Sequence, residues 1–192
     1  MALRGETRTR VVETARCLFR TQGYHATGVN QILAEAAAPK GSLYFHFPGG
    51  KQQLAAEAVT AGALQLRNVI DAVVERSADP MAASRAIGDL LADHLVESDF
   101  RNGCPIAGVA LDASDSDVVR QACNDGFSSW LQSLTDYLTR SGIEPESASD
   151  LALLAISSLE GALLLARTER DAAPIRRVAD RIAKIVAQEM KS

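Results

Sequence analysis

Between Glu6 and Thr21 the apolar side chains Val11, Val12, Ala15, Leu18 and Phe19 recur at the spacing that lines one face of a helix. Gly23 predicts its end. Thr27 is placed to cap a short second helix carrying Val29, Ile32, Leu33 and Ala36, its hydroxyl accepting a hydrogen bond from an early backbone N–H. A connection through Ala37 and Ala38 leads to Pro39, which suits the first turn of a third, brief helix over about 39–45 that carries Lys40, Ser42 and Tyr44, with His46 just beyond. Leu43, Phe45 and Phe47 read as core. Two short helices joined by a tight turn, the second studded with polar and basic groups, form the pattern of a helix-turn-helix.

Pro48-Gly49-Gly50 breaks the pattern, and 51–76 predicts a long helix with Leu54, Ala58, Ala61, Leu64, Val69, Ile70 and Val73 at mainly helical spacings. Asp79-Pro80 opens the next helix, with Ile87, Leu90, Leu91 and Leu95 to one side, and Arg101-Asn102-Gly103 forms a turn. A short apolar stretch covers 104–111. A helix over about 115–140 then carries Val119, Cys123, Phe127, Trp130, Leu134 and Leu138, and Ser141-Gly142 ends it. Of the last two helices, about 146–167 and 174–190, the first is apolar around much of its circumference. Such a surface needs a partner, either its own domain or another copy of the chain. Ser157, Ser158, Gly161 and Ala162 leave room for close helix approach, which suits a dimer interface made by these two helices. With no strand alternation anywhere, the chain reads as all-α with about nine helices.

Composition agrees. The 192 residues are 47% hydrophobic and 23% charged, long enough to bury a sizeable core and unlike a disordered or fibrous chain. Aromatics are only 5%, which favours helices packed through aliphatic side chains over a sandwich or barrel. A net charge of −4 taken alone argues against a nucleic-acid partner, but the charge is uneven. Residues 1–51 hold seven basic and three acidic residues, a net of +4, and the rest of the chain carries −8. A basic head on an acidic body fits a head that faces a polyanion; charge alone leaves a chance distribution equally open.

The first ten residues are basic without an apolar stretch behind them, so they read as a solvated arm and not a signal peptide. The apolar run 151–166 is interrupted by Ser157, Ser158 and Glu160, which argues against a membrane span. Cys17, Cys104 and Cys123 are odd in number, widely spaced and without a CxxC pair, consistent with a reducing cytoplasm and with neither a disulfide framework nor a structural zinc site. No GxSxG, GxGxxG, Walker A or HExxH run occurs, and His25, His46 and His94 are scattered. The sequence therefore offers no catalytic constellation, no metal site and no cofactor site. Asp112, Asp115 and Asp117 lack the glycine and terminal glutamate of a calcium loop and read as helix caps.

The run TGVNQILAEAAAPKGSLYFHFP, residues 27–48, resembles the DNA-binding head of the TetR family of bacterial transcriptional regulators. APKGSLYFHFPGGK, residues 38–51, is similar to its LmrA/YxaF-like branch, and NGCPIA, residues 102–107, is similar to a second signature of that branch. The resemblance implies a helix-turn-helix DNA-binding domain over 1–50 and a ligand-binding and dimerisation domain over 51–192. It implies DNA contacts at Thr27, Lys40, Gly41, Ser42, Tyr44, His46 and Lys51. Thr27 would donate its hydroxyl to a phosphate, bare Gly41 would let the backbone approach the major groove, and Lys51 would sit at a helix N-terminus where phosphate is attracted. The family usually has glycine where this chain has Ala37, and a left-handed conformation there costs an alanine on the order of 1 kcal/mol.

The function so implied is a ligand-responsive repressor in the cytoplasm, a homodimer through the last two helices that binds double-stranded DNA at a palindromic operator and needs no cofactor. A small apolar or aromatic effector would release it, bound near Cys104, Phe127 and Trp130, with the coupling running through the long helix from Lys51. The competing readings are a helical protein-interaction module without specific DNA binding, and an enzyme.

Overall fold

The computed structural model describes residues 4–113 and 115–191. Among these residues the regular structure is entirely helical: α1 (Arg4–Gln22), α2 (Val29–Glu35), α3 (Ser42–His46), α4 (Gly50–Arg76), α5 (Pro80–Glu97), α6 (Ala107–Asp112), α7 (Asp117–Arg140), α8 (Pro145–Glu169) and α9 (Ala173–Glu189). The basic N-terminal stretch expected as a solvated arm is helical from Arg4 onward, so Arg8 and Arg10 are carried on α1; residues 1–3 lie outside the described residues.

Packing divides the chain into two compact units, Met1–Gln65 with Cys104–Phe127, and Leu66–Gly103 with Ser128–Ser192. In the first unit Val11, Phe19, Ile32, Phe47, Leu54, Val59, Ile106 and Val109 are fully buried. Arg10 Nε donates to the Ala36 carbonyl at 3.2 Å, tying α1 to the C-terminal end of α2. Ala37, in the turn between α2 and α3, takes φ +49°, the left-handed region. A Cβ is unfavourable there, so Ala37→Gly is expected to stabilise the protein by roughly 0.5–1 kcal/mol, after the greater freedom of glycine in the unfolded chain is subtracted. Calorimetry should show a rise of about 1–4 °C in Tm; a fall would contradict the account.

In the second unit α9 lies along α5 and α8, burying Ile175, Ala179, Ile182, Ala183 and Val186. The α5 contact is close: a Cβ on Gly88 would collide with the Ala179 Cβ. Arg176 pairs with Asp89 and Asp93 of α5 at 3.0 and 2.6 Å, and Arg85 pairs with Asp180 at 3.1 Å. The outward side of α9 is charged, with Arg176, Arg177, Arg181 and Lys184 exposed. α8 differs. Ala148, Leu151, Ala152, Ala162 and Ala166 are core, while Leu153, Leu154, Leu164 and Leu165 are exposed along with Ser157 and Gly161. By length and composition α8 could cross a membrane, which the interrupted 151–166 run does not suggest. Its apolarity has a local explanation in one face that is core and another that is an exposed leucine stripe.

Candidate nucleic-acid interface

The turn after α1 is built from both ends. Gly23 takes φ +85° and its N–H donates to the Phe19 carbonyl at 3.0 Å, closing α1. Its own carbonyl accepts from Thr27 Oγ1 at 2.7 Å. This corrects the reading of Thr27. Gly28 is the N-cap of α2, and Thr27 is fully buried with its proton already given to Gly23, so it neither caps the helix nor presents a free donor to a phosphate. The physical reason is that the Gly23 carbonyl is one of the orphan acceptors at the end of α1 and needs a partner inside the fold.

The turn before α3 is formed by Pro39–Gly41, with Ser42 N–H donating to the Pro39 carbonyl at 2.8 Å. The third helix is accordingly shorter than expected and begins three residues later. Lys40 and Gly41 are exposed and Ser42 is half-buried. A Cβ on Gly41 would meet nothing within 4 Å, and its φ of −73° suits any residue, so nothing inside the protein requires glycine at this position. Leu43 and Phe47, four residues apart, turn inward and are buried. Phe45 does not join them: at about 100° per residue it points to the far side, and it is 63% exposed, which corrects its assignment to the core. Tyr44 is 72% exposed. His46 is half-buried, its ring centroid 4.8 Å from that of Phe45. The helical period alone, applied to Leu43 and Phe47, was the signal that could have found Phe45.

Lys51, in the first turn of α4, donates from Nζ to the Tyr24 carbonyl at 2.7 Å and stands 4.3 Å from the centroid of that ring. Burial lowers the pKa of this ammonium below the ordinary lysine value, and Asp112 acts in the opposite direction. One of its three donors is used within the protein. Asp112, at the end of α6, accepts from Tyr24 N–H at 2.9 Å, so it is neither a helix cap nor part of a cation loop. No group of His, Cys, Asp and Glu among the described residues is arranged to hold a metal ion.

The residues expected around an effector fall in both units. Cys104 is buried in the first unit, its Sγ accepting from Ile106 and Ala107 N–H at 3.4 Å, and Phe127 of the same unit is half-buried. Trp130 belongs to the second unit and is 4% exposed. A groove between α1 and α4, about 380 Å³ and lined by Arg8, Val12, Glu57 and Leu64 among others, includes none of the three. Burial pushes the Cys123 thiol up to about 11, whereas Cys17 is exposed. A thiol reagent at about pH 8 should therefore titrate one cysteine rapidly in the native protein and three in denaturant. Rapid reaction of two or more native thiols would contradict the burial.

Residues 11–58 match the family model for bacterial regulatory proteins of the tetR family, and residues 80–181 match that for the C-terminal domain of LmrA/YxaF-like transcriptional regulators. The HTH-type transcriptional regulator YxaF of Bacillus subtilis strain 168 is 36% identical over 190 residues, covering 98% of this chain and 100% of that one. The HTH-type transcriptional regulator LmrA of the same strain is 32% identical over 183 residues, covering 95% and 97%. The crystal structure of a TetR transcriptional regulator from Chloroflexus aurantiacus J-10-FL superposes with a TM-score of 0.82 at 29% identity, covering 98% of each chain. The helix-turn-helix geometry and these full-length similarities agree: the chain belongs to the TetR family of DNA-binding transcriptional regulators, in its LmrA/YxaF-like branch, and is not an enzyme.

Proposed function

We propose that this regulator acts in the cytoplasm as a homodimeric repressor that binds a palindromic operator and is released by a small apolar or aromatic effector. The observation that carries the reading is the outward surface of the α3 region. Lys40, Gly41, Tyr44 and Phe45 are exposed and Ser42 is half-buried, over a buried Leu43–Phe47 anchor, so that a cation, a bare backbone and two aromatic rings lie on the outward surface. Lys40 offers donors to guanine, Phe45 offers an apolar edge suited to a thymine methyl, and Tyr44, His46 and Lys51 flank them as backbone contacts. Dimerisation rests on the α8 stripe. The charged outward side of α9 makes α8 the main contributor, a narrower interface than one shared equally by the last two helices. Cys104, Phe127 and Trp130 are the positions at which substitution tests the effector response.

The test is a titration of wild-type, Lys40→Ala and Phe45→Ala proteins against the preferred duplex and its single-base variants. Each substitution should cost about 1–3 kcal/mol on the preferred site and flatten the discrimination at one position per half-site. An equal loss on every duplex would remove these residues from base reading.

A further inference from the structure

We propose that Asp112 is a positioning residue for DNA recognition: from α6 its carboxylate latches the α1–α2 turn, so that the setting of α2 and α3 depends on α6 remaining docked. The inference rests on the DNA-binding reading above and deepens it.

The turn has few internal bonds. Gly23 is satisfied by Phe19 and Thr27, but the two polar groups of the Tyr24 backbone go to other elements. Its N–H donates to Asp112 Oδ2 of α6 at 2.9 Å, and its carbonyl accepts from Lys51 Nζ of α4 at 2.7 Å. His25 N–H also points to Asp112 Oδ2, at 3.4 Å. The same oxygen stands 2.7 Å from where a Cβ on Gly23 would be, so the carboxylate reaches the backbone at a residue whose φ of +85° and lack of side chain both permit it. Asp112 thus gathers two N–H groups in the manner of an anion-binding turn, with the Lys51 ammonium opposite. α6 also contacts α1, where a Cβ on Gly108 would lie 3.8 Å from the Phe19 carbonyl, and Val109 of α6 is buried. Downstream, α2 begins at Val29, is held at its far end by Arg10, and packs against α3. Releasing the turn therefore frees the near end of α2 and, through it, the recognition helix.

The experiment compares wild type, Asp112→Ala and Asp112→Asn on the duplex selected by the wild type and on an unrelated duplex, with amide hydrogen exchange read at Tyr24 and His25. The alanine variant should lose about tenfold or more on the selected duplex, the loss expected for a charge-assisted bond, and change less than about twofold on the unrelated one. The asparagine variant keeps an acceptor and should lose only about threefold. Tyr24 exchange should accelerate in the same order, with Gly23 unchanged. A latch that serves folding alone would weaken both duplexes together in proportion to the unfolded fraction, and that result overturns the proposal. So does operator affinity within twofold of wild type in both variants. Should the alanine variant fail to fold, the asparagine variant decides by the same two readouts. If the wild type selects no sequence, the role in recognition falls with the function, while the exchange data still report whether the latch exists.

Discussion

Replacing Leu164 and Leu165 of α8 by Asp is expected to convert a dimer into monomers at micromolar concentration and to lower operator affinity at least about a hundredfold. The two leucines are 64% and 54% exposed, with an open Gly161 one turn before them and exposed Leu153 and Leu154 three turns before them on the same helix. Fully covering one such side chain is worth about 1.5–3 kcal/mol, and a two-fold axis doubles every change. The substitution removes four leucines from the proposed interface and places four carboxylates there. A monomer presents one recognition helix and forfeits the gain from two linked half-sites, which is the source of the large loss on DNA. Sedimentation measures the first effect and duplex titration the second. A variant that stays dimeric would move the interface off α8. Since both leucines already face solvent within the protomer, its helix content and thermal unfolding should change little apart from the loss of dimer stabilisation.

Lys51→Ala is expected to weaken binding to all duplexes by about tenfold and to reduce the steepness of the salt dependence by about one ion. The structure adds a second consequence. Lys51 also holds the Tyr24 carbonyl, so the alanine variant leaves that acceptor without its partner. Lys51→Gln separates the two roles, because it keeps a donor within reach of the turn and removes the charge. Its salt dependence should match that of the alanine variant while its thermal stability stays closer to wild type. An unchanged salt dependence in both would make Lys51 a strut of the fold and remove it from the phosphate contacts.

Much of the helical order was legible because its punctuation is strong. Gly23 ends α1, Asp79-Pro80 starts α5 with the Asp79 carboxylate accepting from Ala82 N–H at 2.7 Å, and Gly142 follows α7 with a positive φ. The cost anticipated for alanine at position 37 corresponds to an observed left-handed backbone. The errors arise where tertiary demand outweighs local rules. Capping preference selects Thr27, but the buried hydroxyl is drawn to the Gly23 carbonyl and bare Gly28 takes the cap. A run of alternating apolar letters at Leu43, Phe45 and Phe47 invites a single core assignment, although a helix sends the middle one outward. Asp112 reads as a helix cap from the sequence, because its actual partner lies 88 residues away in the chain and the bond is to backbone, which carries no residue-type signal.

The most direct test of the dimeric operator-binding account is selection of bound fragments from the source organism's genome by the purified protein at roughly physiological salt, where weak non-specific contacts are suppressed. The account predicts recovery of an inverted repeat near one or a few promoters, with half-site centres about one helical turn or a multiple of it apart. Recovery of no preferred sequence, or of a single unrepeated half-site, would contradict it.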